Sequence, residues 1–387
     1  MTHGLSAGAR IGIGVGSRGI SNIAAIVRAS VRHFSDGGFR PFLFPAMGSH
    51  GAANAEGQAS VLAHYGIDEA TMGCPVVSSF EVVSAGRTAD GIETFAGRDA
   101  WESDGIFVVN RVKWHTSFAG PIESGVSKML ALGLGKITGA EVCHGHARRL
   151  GMDNVIRSVA GHLLATGKIL GGLAILEDAF HDTAQVTVLC AEGLIEQEME
   201  LLLLVKSWMG TVPVAALDVL IVDEIGKNIS GTGMDLKVVN RGVHGQYNPW
   251  PGAPRIERIF IRSLSELSYG NGVGIGLADV IHDRVLERID VNAGRVNART
   301  SGSLAAVRTP LHFASDRECL DLLNATVGKF NADEITVGWI RNTLELGKLV
   351  LSENLAEEIG KNPMVEVAGP RFAPAFDRSG NLGEFPV

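Results

Sequence analysis

The 387-residue chain predicts an α/β fold in two domains, 1–210 and 211–387, with the active site in the cleft between them. The first domain is expected to hold a parallel, Rossmann-like sheet with flanking helices, and the second to be a smaller α/β unit. Three observations lead there. Strand-length apolar runs alternate with helical spacing through the first eighty residues, and the same alternation resumes after Pro213. The composition, 45% hydrophobic against 20% charged, supplies enough apolar surface for two packed cores.

The elements follow in order. "ARIGIGVG" (9–16) reads as a short buried strand, and "ISNIAAIVRASVRHFSDGG" (20–38) as a helix ended by glycines. "FRPFLFPAMG" (39–48) is again of strand length, "NAEGQASVLAHYGI" (54–67) is a helix closed by Gly66, and "CPVVSSFEVVSAG" (74–86) reads as a strand pair. "GIFVVNRV" (105–112) is a further buried strand, after which an irregular polar stretch gives way to helical spacing from about Val126. The apolar helix "EQEMELLLLVKSWMG" (196–210) precedes the second domain. There "LDVLIVDEIG" (217–226) is a strand, the glycine-rich "KNISGTGMDLKVVNRG" follows it, and "GQYNPWPGAP" (245–254) reads as a surface loop. "RIERIFIRSLS", "VGIGLADVIHDRVLERID" and "ITVGWIRNTLELGKLVLSENLAEEI" complete an α/β pattern.

A net charge of −8 argues against a nucleic-acid partner, which asks for clustered Lys and Arg; "HARRL" (146–150) is the densest basic spot. No stretch of about 18 apolar residues offers a membrane span. Cys74, Cys143, Cys190 and Cys319 form no C-x-x-C pair, so neither a zinc knuckle nor a disulfide framework is expected, and the chain reads as cytoplasmic.

Residues 14–19, "GVGSRG", match G-x-G-x-x-G by letter. A dinucleotide turn also needs a carboxylate about 20 residues on, at the end of the second strand. That strand ends instead in "MGSHG". The turn therefore reads either as a small-anion site built on Arg18 or as a tight turn with a solvated arginine. His50 and His115 both lie where a strand ends at its carboxyl side, the place where ligands collect in such sheets. His144 and His146 form an H-x-H pair beside Cys143; on a helix the two rings diverge by about 200°, so at most one faces a given metal. The other histidines, His33, His64, His162, His181, His282 and His312 among them, read as surface or satisfied core residues. Lys128 and Lys136 sit in a run of small and apolar residues, either snorkelling to water or held in a pocket.

Taken in order and spacing, "GSRG", "PAMGSHGAANAEGQ", "NRVKWHTSFAGPIESGVSKMLALGLGK" and "CHGH" resemble the lactate racemase family. The resemblance covers the N-terminal two hundred residues and extends more weakly over the rest. It implies an isomerase, a racemase or epimerase of a 2-hydroxy acid or sugar acid, working with a nickel-pincer nucleotide made by dedicated cofactor-making enzymes. It implies Arg18 as the substrate-carboxylate residue, His50 and His115 as the two acid/base groups, Lys128 as the covalent attachment and His144, sixteen residues further on, as the nickel ligand. The family lines the second-domain side of its site with a lysine, a glutamine and a tryptophan; Lys237 and Trp339 are the substrate-binding candidates here, with Lys227 and Arg241 beside them. The chain departs from the family in lacking an aspartate shortly before Arg18 and a double glycine between His115 and Lys128, which leaves Lys136 as the substitute lysine. Other readings are a zinc-type hydrolase with Glu123 or Glu141 activating water, a non-catalytic carboxylate-binding homologue, and a nicotinamide enzyme.

Overall fold

The computed structural model describes residues 4–16, 19–48 and 54–386 and divides into two compact units, Met1–Met209 and Gly210–Val387. Each unit is α/β.

In the first unit, β1 (Arg10–Val15), α1 (Ile23–Asp36), β2 (Arg40–Pro45), α2 (Ala55–His64) and α3 (Glu69–Met72) succeed one another. β1 alternates isoleucine or valine with glycine, and both of its faces are used. Ile11, Ile13 and Val15 enter a core with Ile23, Val27, Val31 and Phe34 of α1, residues spaced to share one helix stripe. On the opposite face Gly12 and Gly14 lie in register with Phe42 and Phe44 of β2; a methyl group at Gly14 would stand 2.8 Å from the Phe44 ring. The glycines thus admit two aromatic rings onto the sheet. Asn54 caps α2 by accepting from the Gly57 N–H at 2.7 Å, and Asp68 and Thr71 form a capping box on α3.

The segment expected as one strand pair folds differently. β3 (Val82–Arg87) forms an antiparallel hairpin with β4 (Glu93–Gly97), while Val76 makes only a bridge to Leu43. α4 (Arg98–Trp101) leads into β5 (Gly105–Arg111). Next come α5 (Val126–Lys128), a π-turn (Met129–Gly133), α6 (Lys136–Leu150), α7 (Met152–Ala165), β6 (Ile169–Glu177), β7 (Thr183–Cys190) and α8 (Leu194–Trp208). The sheet order is β2-β1-β5-β6-β7, parallel except for the antiparallel edge strand β7. The chain leaves β1 toward β2 on one side and returns to β5 on the other, so the topological switch point lies between the carboxyl ends of β1 and β5.

The second unit contains β8 (Ala216–Ile225), β9 (Arg255–Leu264), β10 (Val280–His282), α9 (Asp283–Glu287), α10 (Val291–Ser301), β11 (Leu311–Phe313), α11 (Asp316–Thr326), β12 (Val337–Ile340), β13 (Val350–Leu351) and α12 (Ala356–Ile359). Its order is β11-β10-β9-β8-β12-β13, parallel apart from β13. Arg262 is buried between Asp223 (2.6 Å) and Asp316 (2.8 Å) and donates to the Leu382 carbonyl, tying the C-terminal segment to the sheet. Among the described residues no helix is long and apolar enough to cross a membrane.

Candidate functional site

The switch point of the first unit is assembled from the ends of β1 and β5 and the segment that carries Lys128. Gly16, the first residue of "GSRG", donates to the Val109 carbonyl, and a methyl group there would fall 2.1 Å from Asn110 Oδ1. Asn110 is buried, and its amide donates to the Gly125 carbonyl at 2.9 Å. The glycine that resembles a dinucleotide fingerprint therefore makes room for an asparagine linking β1 and β5 to α5. Beyond it, Gly19 donates to the Tyr65 hydroxyl (2.9 Å) and accepts from Arg111 (3.2 Å), and Ser21 N–H donates to Glu177 (2.8 Å), itself ion-paired with Arg111. Arg18 and His50 lie outside the described residues.

α5 is fixed by a carboxyl from α8. Glu198 is buried and accepts from the Ser127 N–H at 2.8 Å and the Ser127 hydroxyl at 2.5 Å, capping a three-residue helix that has no capping side chain of its own. Its other oxygen, Oε1, is buried without a hydrogen-bond partner against Gly125. Burial pushes the Glu198 carboxyl up to about 7, against the lowering effect of those donors. On the opposite side Val126 presses on the sheet at Gly172, where a methyl group would stand 2.5 Å away.

Lys128 ends α5, and the chain then widens into the π-turn, closed by Leu134 N–H to the Met129 carbonyl at 2.8 Å. Lys136 adopts φ 55°, a left-handed conformation uncommon for a side chain with a Cβ, and restarts the helix as α6. A straight helix would set Lys128 and His144 about 24 Å apart. In the broken one the His144 imidazole is held below its ordinary pKa, first by burial and then by the positive charge of Lys128. The residue as a whole is exposed to solvent on α6. His146 lies on the same helix α6, as an H-x-H pair on a helix requires, so its ring points elsewhere.

Lys136 is the buried lysine of the two. Its ammonium donates to the Pro45 carbonyl at 2.7 Å and approaches Gln58 Oε1 at 3.4 Å, and burial pushes it down to about 8. Gln58 donates to the Gly48 carbonyl at 2.9 Å. Lys136 thereby braces the exit of β2, a structural employment rather than a place beside His144.

His115 follows β5. Its N–H donates to Glu123 Oε2 at 2.5 Å, its ring stacks on Phe118 at 4.3 Å between centroids, and its Nδ1 lies 3.1 Å from both the N–H and the hydroxyl of Ser117. Glu123 is buried, also accepts from Gly120 N–H at 3.3 Å, and pairs with Lys206 at 2.6 Å. It clamps the loop and is not disposed to activate a water; Glu141 is exposed on α6. Among the described residues no group of three or more His, Cys, Asp or Glu is placed to hold a metal.

In the second unit the candidates serve its interior. Trp339 is buried, donates its indole N–H to Asp223 at 2.6 Å and meets Phe385 edge-on, which places it in the core. Arg241 is buried among the carbonyls of Ile256 and Glu257 and the Asp279 carboxylate, and Lys227 donates to Gly231 and Asn297. Lys237 is buried with its ammonium 5.5 Å from the centre of the Trp250 ring.

Sequence reasoning missed Asn110, Ser117 and Glu198. Two left a signal: Asn110 is the uncharged polar residue inside "GIFVVNRV", and Glu198 is a carboxylate three residues before four consecutive leucines.

Solved structures of similar fold include one lactate racemase. The lactate racemase apoprotein from Thermoanaerobacterium thermosaccharolyticum matches with a TM-score of 0.45 and 15% identity, over 66% of this chain and 61% of that one. The chain thus spans under two thirds of that structure's length, and a likeness so distant carries no argument about activity. No family model and no curated protein matches the chain.

Proposed function

We propose that the chain is a racemase or epimerase of a 2-hydroxy acid or sugar acid, using a nickel-pincer nucleotide attached to Lys128 and ligated by His144. What supports this reading is the resemblance in sequence, with Lys128 ending α5 and His144 sixteen residues further on in α6, on a helix broken between them by the π-turn. An amine for covalent attachment and one imidazole are the donor set asked of a protein by a metal-bearing group that brings its own ligands. A zinc hydrolase asks for three protein ligands and a water-activating carboxylate, and Glu123 is engaged with Lys206 and two backbone N–H groups.

When bound, the nucleotide supplies a reversible acceptor for hydride from the carbon that bears the substrate hydroxyl. The chain's own groups supply the rest. Arg18 binds the carboxylate, His115 moves the hydroxyl proton at Nε2, and His50 does the same for the mirror-image substrate; these roles follow from the resemblance and from the position of His115 at the switch point. A cytoplasmic location, a small-molecule substrate and dependence on the cofactor-making enzymes go with this reading. The test is chiral chromatography of enantiopure 2-hydroxy acids incubated with protein co-expressed with those enzymes. Formation of the opposite enantiomer, lost in His115→Gln, is expected; a set of substrates unchanged by loaded wild-type protein contradicts the reading.

A further inference from the structure

Asn110 stands next to last in β5 and is 7% exposed. By the alternation of the strand it shares a face with Ile106 and Val108, whose core includes Val126 of α5. The two ends of its amide face different elements. Nδ2 donates to the Gly125 carbonyl at 2.9 Å, just ahead of α5, which fixes the amide with its oxygen on the other side. Oδ1 lies against Gly16, where a Cβ would fall 2.1 Å from it, and among the described residues none donates to it.

An amide oxygen buried without a donor is costly, and this one lies at the switch point, where ligands enter between the carboxyl ends of β1 and β5. It is offered to a ligand that brings an O–H or N–H. A 2-hydroxy acid undergoing racemisation has none to spare: its carboxylate carries no proton, and the single proton of its 2-hydroxyl goes to the His115 or His50 imidazole. A further hydroxyl is needed. On the carbon next to the reacting one it stays close to the carboxylate, which the functional reading assigns to Arg18, two residues after Gly16.

We infer that Asn110 determines specificity by accepting, at Oδ1, a hydrogen bond from a C3 hydroxyl, so that the substrate class is a 2,3-dihydroxy (sugar) acid rather than a 2-hydroxy acid with an alkyl chain. This rests on the racemase reading. The C3 proton is not transferred, so the same bond holds the substrate in both directions of the reaction.

Glycerate and lactate differ in that hydroxyl alone. Their Kd values are measured by calorimetry on the full chain, cofactor-free and loaded, and their turnover on the loaded form. Wild type is expected to favour glycerate by about tenfold or more in Kd for both forms, because the analogue without the hydroxyl leaves Oδ1 unpaired. Asn110→Leu, of similar size and without the acceptor, is expected to bring the ratio to within about twofold of one while binding lactate within about threefold of wild type, which shows the carboxylate site intact. Where Asn110→Leu does not fold, Gly16→Ala decides by the same criterion, since its Cβ displaces Oδ1 and leaves the amide in place. A wild-type ratio near one, or a ratio that survives the substitution, overturns the inference. So does a preference present in cofactor-free protein and lost in loaded protein, because a ribose hydroxyl of the nucleotide then occupies Oδ1. Equal racemisation of both acids by loaded wild type also overturns it and leaves the functional reading standing. A preference abolished by the substitution, with neither acid turned over, supports the assignment of Asn110 and counts against the functional reading alone. Binding of neither acid in either form overturns both.

Discussion

Gly125→Ala should disable the support of Lys128 without touching Lys128. The backbone there is extended, with φ 167° and ψ −158°, so alanine is not strained by its dihedrals. The added Cβ, however, would lie 1.6 Å from Glu198 Oε1, 2.8 Å from its carboxyl carbon and 3.2 Å from Val112 Cγ2. The carboxyl must withdraw by roughly 2 Å to reach ordinary contact. It then surrenders the Ser127 N–H at 2.8 Å and the Ser127 hydroxyl at 2.5 Å. Overpacking costs about 1–3 kcal/mol and each hydrogen bond about 1 kcal/mol, so a loss of about 3 kcal/mol is expected. For a unit the size of Met1–Met209 that lowers Tm by about 6–12 °C, read by circular dichroism or calorimetry. In a Glu198→Ala background the obstruction is gone, and Gly125→Ala should cost under about 1 kcal/mol. An equal loss in both backgrounds, or a Tm change below about 2 °C in the wild-type background, refutes the packing argument.

Two further outcomes concern pH. Burial pushes Glu198 up to about 7, whereas an unfolded glutamate titrates near about 4.3. Between those values the folded chain keeps a proton that the unfolded chain has released, so wild-type stability should fall relative to Glu198→Gln as pH rises from 5 to 7; urea unfolding that shows a constant difference contradicts this. Lys136 is pushed down to about 8 by burial, so between pH 8 and about 10 the unfolded chain binds the extra proton; wild type should gain stability relative to Lys136→Met over that window, and a flat difference would mean the amine is solvated.

The sheet of each unit was legible because buried parallel strands read as continuous apolar runs, as in "FRPFLFPA" and "GIFVVNRV". The hairpin β3–β4 was not, because its pairing depends on a partner beyond the segment that was read, "CPVVSSFEVVSAG". In the candidate site, the helical start at Val126 and the position of His115 after β5 could be read from periodicity. The π-turn and the left-handed Lys136 could not, since both are set by close packing of glycines such as Gly133, where a methyl group would meet the Ala46 carbonyl at 2.5 Å. Lys128 and Lys136 look alike in sequence, and only tertiary contact shows that it is Lys136 that braces β2. The resemblance offers Trp339 as a substrate-binding tryptophan, but its indole N–H is already bound to Asp223 within the core. The same limit applies to Glu198, whose partner Ser127 is 71 residues away in the chain.

The central claim is that Lys128 and His144 together hold a nickel-bearing nucleotide. It is tested most directly by intact mass and nickel content of protein co-expressed with the cofactor-making enzymes, with Lys128→Ala and His144→Ala beside the wild type. The expected result is a covalent adduct mapped to Lys128 and bound nickel in wild type, no adduct in Lys128→Ala, and an adduct depleted of nickel in His144→Ala. Wild-type protein of unmodified mass and without nickel contradicts the account.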